Sequence, residues 1–249
     1  MTRVKTEREL EDQRVSGQMN ATILDIVARA ITPGISTKEL ALIAAKELEH
    51  LGGKPTFLGY GGFPDVICIS VNNEVVHGIP NKYVLKDGDI ISFDFGVTYN
   101  GMITDAARSA IVGDKSMPQT KKLVSGTLRS LDAGISVVKN GVRIGTIAAA
   151  IEKEMTKHGF GIVRDLVGHG VGHQLHEDPN VPNYGSANTG PALHSGMTIA
   201  IEPMSTLGSD AVYTAADGWT IVTKDNSLAA HFEDTVLVTD DGAEILTRL

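Results

Sequence analysis

The sequence predicts an α+β fold made of two related halves, at about residues 10–115 and 116–249, with an antiparallel sheet and helices on its outer face. Three observations predict this fold. A pair of helical patterns occurs twice, a strand-like segment recurs 108 positions later, and an Asn-Gly turn joins two alternating runs in the first half. Such an ordered series of matches is typical of an internal repeat. It favours two α+β units related by an approximate two-fold axis.

Helical patterns come first in each half. Apolar residues at helical spacing follow Val15 and again Val124, and each pattern ends at a turn signal. The segments after these ends, 34–52 and 141–159, also match each other. Ser36, with a glutamate three residues later, forms the sequence pattern of a capping box. We therefore expect two helices in each half before the sheet begins.

A hairpin follows in the first half. An Asn-Gly dipeptide at 100–101 separates two runs of alternating apolar character, which is the strongest short-range hairpin signal. With this dipeptide as the turn, Asp94 faces Ala107 and Asp105 faces Gly96. Asp94 and Asp105 then become diagonal neighbours on one face, with Cα atoms roughly 7–8 Å apart. Two carboxylates at that spacing can share a cation, and without one their charges would repel.

The second half supplies two further acids. The segment that ends at Glu202 resembles the segment that ends at Asp94, and Glu233 precedes an apolar run as Asp105 does. The approximate two-fold would bring all four carboxylates towards a common centre. Carboxylates gathered in a core-facing cleft need divalent cations, because an unpaired buried charge is very unfavourable.

One histidine adds a nitrogen ligand to this set. His169 lies in a glycine-rich run, which indicates that the backbone approaches another group closely. An imidazole among carboxylates suits Mn²⁺, Fe²⁺, Co²⁺ or Zn²⁺ in a catalytic site rather than a closed structural zinc. The run lacks the spacing of a dinucleotide-binding loop, and the chain has no H-E-x-x-H or G-x-S-x-G motif.

Composition excludes several other classes. Cys68 is the only cysteine, so neither an intramolecular disulfide nor a Cys₄ zinc module can form. The formal net charge of −8 argues against nucleic acid or an anionic membrane as the main partner. No apolar stretch reaches the roughly 18 residues that a membrane span requires. We expect a cytoplasmic protein.

In this order and spacing, the acids and His169 resemble the metal ligands of the methionine aminopeptidases of the pita-bread fold. The short separation of His176 from Glu202 resembles the type I, bacterial-like form, and the likeness spans nearly the whole chain as a single catalytic domain, 1–249. The segments that carry it are Ser70-Val71-Asn72-Asn73-Glu74-Val75-Val76-His77-Gly78-Ile79-Pro80, Gly168-His169-Gly170-Val171-Gly172, Ile201-Glu202-Pro203-Met204 and Asp217-Gly218-Trp219-Thr220.

The resemblance implies removal of the N-terminal methionine by hydrolysis, with a hydroxide held between two divalent ions as the nucleophile. It implies that Glu202 is both a ligand and the proton acceptor. His77 would bind near the scissile nitrogen, and His176 would stabilise the developing oxyanion. The implied metal ligands are Asp94, Asp105, His169, Glu202 and Glu233, of which Asp105 and Glu233 would bridge.

An apolar pocket for the methionine side chain is also implied, with a wall formed by Tyr60, Phe63, Cys68 and Trp219, because a thioether suits aromatic and sulfur contacts. The chain departs from the usual pattern at two positions of this wall. Leu175 stands where a phenylalanine is usual, and Phe57 stands where a cysteine is frequent. The shape of the pocket and its tolerance for other side chains therefore stay open.

Partners and alternatives also follow from the resemblance. It implies nascent polypeptide N-termini as substrates, a transient contact with the ribosome, and a monomer. An Xaa-Pro dipeptidase or aminopeptidase P of the same fold is one alternative, and a non-enzymatic binding protein on the same scaffold is another. The roles of His173 and His231, which lie near the implied ligands in the sequence, stay open.

Overall fold

The computed structural model describes residues 2–249 and forms an α+β fold in which all paired strands are antiparallel. Its helices are α1 (Glu7–Ala30), α2 (Thr37–Leu51), α3 (Pro118–Ile135) and α4 (Ile144–His158), with a 3₁₀ turn at Tyr60–Gly62. Its strands in the first half are β1 (Lys54–Pro55), β2 (Ile67–Val71), β3 (Glu74–Val76), β4 (Ile90–Tyr99) and β5 (Met102–Ile111). Its strands in the second half are β6 (Gly161–Ile162), β7 (Gly168–Gly170), β8 (Glu177–Val181), β9 (Thr198–Ile201), β10 (Met204–Thr206), β11 (Val212–Thr214), β12 (Ile221–Thr223), β13 (Ala229–His231), β14 (Asp234–Val238) and β15 (Ala243–Ile245).

The first helix of each half begins earlier than its apolar pattern predicts. Helix α1 begins at Glu7 rather than near Val15, because Thr6 and Glu9 form a capping box in which each side chain binds the other residue's backbone N–H. Helix α3 likewise begins at Pro118, whose fixed φ suits the first turn of a helix.

Buried polar side chains explain why the first part of α1 lacks an apolar stripe. Gln13, Ser16 and Asn20 lie on its buried face and bind strand carbonyl groups. Asn20 donates to the carbonyl of Phe95 at 2.6 Å, and Ser16 donates to the carbonyl of Val97 at 2.9 Å. These hydrogen bonds fasten α1 to β4, the strand that carries Asp94.

The second helix of each half ends at the glycine that closes its matched segment. Helices α2 and α4 both stop at a glycine in the left-handed conformation, Gly52 and Gly159, where a side chain would be strained. The predicted capping box of α2 is confirmed, since Ser36 and Glu39 bind each other's backbone N–H groups.

The predicted hairpin is confirmed in its register. Strands β4 and β5 pair so that Asp94 faces Ala107 and Asp105 faces Gly96. Asn100 and Gly101 form the turn with φ values of 47° and 86°. Positive φ at both positions matches the twist of the flanking strands. The two aspartates therefore project from the same face of the hairpin.

A second antiparallel ribbon lies in the other half and is interrupted at its centre. β9 pairs with β14, and β10 pairs with β13 in the same register. Between the two paired stretches lie Glu202 and Pro203 on one side and Phe232 and Glu233 on the other. The two glutamates face each other across this interruption.

The two ribbons meet at Ala107 and Glu233. Glu233 donates its N–H to the carbonyl of Ala107 at 3.0 Å, and Ala107 donates to the carbonyl of Glu233 at 3.2 Å. The ladder between the two paired stretches is interrupted because Pro203 has no N–H to donate, although Phe232 still donates to its carbonyl oxygen at 3.3 Å. The bridge between Ala107 and Glu233 brings the hairpin aspartates beside the two glutamates.

The two largest core clusters divide between the halves. One contains buried residues between Ile23 and Val112, and the other contains buried residues between Leu131 and Val238. Each includes residues from the two helices and the main sheet of its half, so the helices cover the outer faces. The boundaries of the domain stay a prediction. Among residues 2–249, no helix combines the length and apolar character needed to cross a bilayer.

Candidate metal centre

The residues selected from the sequence line one pocket, which has about 550 Å³ of empty volume. Carboxylates and imidazoles lie on one side of it, and apolar side chains lie on the other. Its lining residues are Phe57, Tyr60, Phe63, Cys68, His77, Asp94, Asp105, His169, Leu175, His176, Glu202, Trp219 and Glu233. The structure thus brings together every proposed ligand, catalytic and pocket residue, including the two wall positions that depart from the usual pattern.

Four carboxylates form the floor of the pocket. Asp105 and Glu233 are 4% and 2% exposed, and Asp94 is also buried. Burial raises the pKa of Asp94 to about 7 and raises those of Asp105, Glu202 and Glu233 well above their usual values. Neighbouring carboxylates raise the last three pKa values further. Without a cation, this cluster is stable only when it is partly protonated.

Unpartnered oxygen atoms show that the cluster fits a cation. Asp94 Oδ1, Asp105 Oδ1 and Glu233 Oε1 are buried and have no hydrogen-bond partner. A buried polar atom is normally hydrogen-bonded, so each of these atoms requires a partner. Carboxylate oxygens with imidazole nitrogens form a donor set that suits a divalent transition metal.

His169 presents its Nε2 atom to this cluster. Strand β7 places the residue beside β9, where it faces Ala200. Its Nδ1 lies 3.0 Å from the carbonyl oxygen of Gly170, which fixes Nδ1–H as the donor and leaves the lone pair on Nε2. Burial, together with the nearby His176, lowers the pKa of His169 to about 3. The ring is therefore neutral, as a metal ligand must be.

Two three-residue groups have donor atoms close enough to hold one ion each. In the first, donor atoms of Asp105, His169 and Glu233 all lie within 4.8 Å of one another, and in the second the same holds for Glu202, His231 and Glu233. The sequence by itself does not assign a role to His231. Its position two residues before Glu233 was the available signal, because alternate residues of a strand share a face.

His77 and His176 lie in the pocket but outside both groups. The ring of His176 is 4.3 Å from that of His169, and its Nδ1 lies 2.8 Å from the hydroxyl oxygen of Tyr60. His77 has a φ of 59°, a left-handed conformation that is uncommon outside glycine and often found at functional sites. Burial lowers the pKa of both histidines, so both rings are neutral at pH 7.

The opposite side of the pocket is apolar. Phe57, Phe63, Cys68 and Leu175 form a buried cluster there, and Trp219 contacts the ring of Phe63 edge-on at 5.2 Å. Cys68 faces Asp94 across the strand pair β2 and β4. Burial raises the pKa of its thiol well above the usual value, so Cys68 is a neutral packing residue.

The loop that carries Trp219 is held by Asp217. One carboxylate oxygen of Asp217 accepts hydrogen bonds from the N–H groups of Trp219 and Thr220, both at 2.9 Å. The other oxygen accepts from the Thr220 hydroxyl at 2.5 Å. These bonds fix the indole at the mouth of the pocket and explain the Asp-Gly-Trp-Thr motif in physical terms.

Buried carboxylates and imidazoles below an apolar pocket, on paired antiparallel ribbons, define a metallohydrolase that acts on a substrate with an apolar side chain. The model of metallopeptidase family M24 matches residues 11–240 of the chain. The chain belongs to this family. Metal dependence is therefore part of its class.

Its relatives resemble it over the full length. The chain is 48% identical to methionine aminopeptidase 1 of Bacillus subtilis (strain 168), over 98% of both proteins. It is 45% identical to the methionine aminopeptidase of Clostridium perfringens, over 99% of this chain and 98% of that protein. The crystal structure of a methionine aminopeptidase from Thermotoga maritima superposes with a TM-score of 0.98 at 45% identity, and the match covers 100% of both chains. Within family M24, the chain therefore belongs to the methionine aminopeptidases.

More distant structures share the fold alone. The prolidase from Pyrococcus furiosus superposes with a TM-score of 0.81 at 22% identity. The match covers 99% of this chain and 65% of the prolidase chain. These neighbours confirm the pita-bread fold predicted from the sequence.

Proposed function

We propose that this protein removes the N-terminal methionine from peptides and nascent proteins by hydrolysis. The observation that carries this proposal is that one and the same pocket joins a cluster of buried carboxylates and imidazoles to an apolar cavity. One part is suited to hydrolysis of a peptide bond, and the other part is suited to an unbranched apolar side chain. The full-length identity to methionine aminopeptidases supports the same activity.

Two divalent ions are the proposed cofactor, and cobalt, manganese, iron or zinc each suit the donor set. Asp94, Asp105, His169, Glu202 and Glu233 would hold them, with Asp105 and Glu233 bridging. Bound ions of this kind polarise a carbonyl oxygen and lower the pKa of a water molecule. The unpartnered oxygens of Asp94, Asp105 and Glu233 support this assignment.

Glu202 is the proposed proton acceptor. Its carboxylate lies in the pocket, and its two oxygens each face an imidazole Nε2, at 3.5 Å from His169 and 3.6 Å from His231. A carboxylate whose pKa is raised by burial is better matched to proton transfer near neutral pH than an exposed one. It would take the proton of the attacking water and pass it to the leaving amine.

The two histidines outside the ligand groups would bind the substrate. If the Tyr60 hydroxyl donates to Nδ1 of His176, the neutral ring carries its proton on Nε2, where it can donate to a developing oxyanion. His77 would donate near the scissile nitrogen. Tyr60 thereby selects the tautomer of His176, and His77 and His176 act as neutral donors.

The apolar side would receive the methionine side chain. Phe63, Trp219 and Cys68 offer aromatic and sulfur contacts to a thioether, and Tyr60 closes the cavity. The free amino group of the substrate would lie beside Asp94, so a blocked N-terminus would not bind. We further propose that the protein acts as a monomer in the cytoplasm, where it meets nascent chains through transient contact with the ribosome.

Peptide assays with and without metal test this proposal. After chelation and re-addition of Co²⁺, Mn²⁺, Fe²⁺ or Zn²⁺, the protein should cleave Met-Ala peptides and leave Xaa-Pro peptides intact. Preferred cleavage of Xaa-Pro peptides would instead support a prolidase-like enzyme, and no cleavage with any metal would support a binding protein.

Ligand variants provide the second arm of this test. Asp94→Ala and His169→Ala should remain folded and lose metal-dependent turnover. His50→Ala, an exposed position on α2, is the matched control and should retain activity. Full activity in a folded ligand variant would refute the site assignment.

A further inference from the structure

We propose that His231 is a sixth protein ligand of the metal centre, so that each of the two ions is bound by one imidazole. This inference rests on the dinuclear centre of the proposed function and adds a residue outside the ligand set implied by family resemblance. It follows from the position of the ring and from the distances around Glu202.

The ring of His231 is buried without a hydrogen-bond partner. The residue is 1% exposed, and neither Nδ1 nor Nε2 has a partner. Its own backbone is fully used, because Ser109 Oγ binds the N–H at 2.9 Å and the carbonyl oxygen at 2.7 Å. A buried imidazole with two free nitrogens is rare, since buried polar atoms are normally satisfied. The ring therefore needs a partner that lies inside the carboxylate cluster.

The distances around Nε2 are too long for hydrogen bonds and suit two ligands of one ion. His231 Nε2 lies 3.6 Å from Glu202 Oε2 and 3.9 Å from Glu233 Oε2. A hydrogen bond from nitrogen to oxygen spans about 2.7–3.2 Å. Two donor atoms that each lie about 2.0–2.2 Å from a tetrahedral ion are separated by about 3.5 Å. An ion between these three atoms would therefore satisfy all of them with only small movements.

Glu202 relates the two imidazoles to each other. His169 Nε2 lies 3.5 Å from Oε1 of Glu202, and His231 Nε2 lies 3.6 Å from its Oε2. One carboxylate thus stands between two imidazoles, with one oxygen directed to each. This arrangement gives one ion the imidazole of His169 and gives the other ion the imidazole of His231.

Counting the imidazoles bound to Co²⁺ tests the inference. In a paramagnetic proton NMR spectrum of the Co²⁺-loaded protein, each bound imidazole gives a strongly shifted N–H signal that disappears in D₂O. With two equivalents of Co²⁺ bound, the wild-type protein should show two such signals, and His231→Gln should show one. Loss of this ligand should also weaken binding of the second equivalent of Co²⁺ by about 10–100-fold, because loss of a residue that only hydrogen-bonds a metal ligand already has that effect.

The choice of variants separates ligation from a hydrogen-bonding role. Glutamine keeps an amide that can donate a hydrogen bond to Glu202. If His231 only donated such a bond, His231→Gln would bind the second equivalent of Co²⁺ about as tightly as the wild type, and that result would overturn the inference. His173→Gln is the matched control, because His173 Nε2 binds Glu9 at 2.7 Å outside the pocket, and this variant should keep both signals.

The wild-type spectrum decides the question even if His231→Gln does not fold. Two bound Co²⁺ ions with a single shifted N–H signal would overturn the role of His231 and leave the proposed function intact. A protein that binds no Co²⁺ at all would overturn both the dinuclear centre and the ligand assignment.

Discussion

Thr235 and Ser109 make the same pair of hydrogen bonds on opposite sides of the seam between the two halves. Thr235 Oγ1 accepts from the N–H of Asp105 at 2.9 Å and donates to its carbonyl oxygen at 2.8 Å. Ser109 Oγ does the same for His231, at 2.9 and 2.7 Å. Each half therefore uses a hydroxyl group to fix the backbone of a residue in the candidate metal centre that belongs to the other half.

Thr235→Val should weaken both stability and metal binding. Valine keeps the shape of threonine but leaves the buried N–H and carbonyl of Asp105 without partners, which should lower the free energy of unfolding by about 1–3 kcal/mol. Chemical denaturation and a Co²⁺ titration would measure the two effects. Thr127→Val is the matched control, since the buried Thr127 hydroxyl binds only the Leu123 carbonyl within α3, at 2.8 Å. Equal Co²⁺ affinities in the two variants would contradict a role for Thr235 in positioning Asp105.

The metal-free protein should lose stability as pH rises from about 4 to about 7. Asp94 has a pKa of about 7 in the folded state, against 3.8 for an ordinary aspartate. Within this window the folded state binds more protons than the unfolded state, so the free energy of unfolding falls with rising pH. A divalent ion binds the ionised carboxylates, so its stabilising effect should grow over the same window. Thermal unfolding with and without Co²⁺ across this range measures both trends.

Asp94→Asn isolates the contribution of that carboxyl group. The metal-free variant should be more stable than the wild type at pH 7 and less sensitive to pH, while turnover is lost. A difference of about 1 kcal/mol would shift Tm by about 2–4 °C in a protein of this size. Asp240→Asn, at an exposed position, should retain the wild-type profile. The assignment fails if the two variants show the same dependence on pH.

His77→Asn should slow catalysis without loss of ions. Asparagine tolerates the left-handed backbone of residue 77 better than most residues, so the fold should persist. Removal of one hydrogen-bond donor to the transition state typically lowers kcat by about 10²–10³-fold. Steady-state kinetics and metal analysis would separate the two effects, with His50→Asn on the surface of α2 as the control. An unchanged kcat would remove His77 from the mechanism.

Leu175→Phe should narrow the apolar side of the pocket. Leu175 is 4% exposed and packs in the cluster with Phe57 and Phe63, so a larger ring there must enter the cavity. Wild-type protein should cleave peptides that begin with ethionine, which is one methylene longer than methionine. The variant should discriminate against them by about 10-fold or more, the effect expected for one methylene. Ratios of kcat/KM would measure this, and Leu58→Phe at a half-exposed site is the control. An unchanged ratio would place Leu175 outside the specificity pocket.

Local patterns in the sequence predicted the elements whose structure depends on near neighbours. The Asn-Gly turn predicted the register that places Asp94 and Asp105 on one face, and the structure confirms it. The Ser36 capping box likewise predicted the start of α2. The early start of α1 was missed, because its buried face is polar and acquires partners only when β4 packs against it.

By itself, the sequence determined the helix pairs, the hairpin and the identity of the acids and His169, because turn chemistry, capping and periodicity act over a few residues. The meeting of the first-half hairpin with the second-half ribbon, at Ala107 and Glu233, depends on tertiary structure. It is a backbone bridge between two residues that are distant in the sequence. The same long-range pairing directs the ring of His231 at Glu202, and no local pattern encodes such a meeting of side chains.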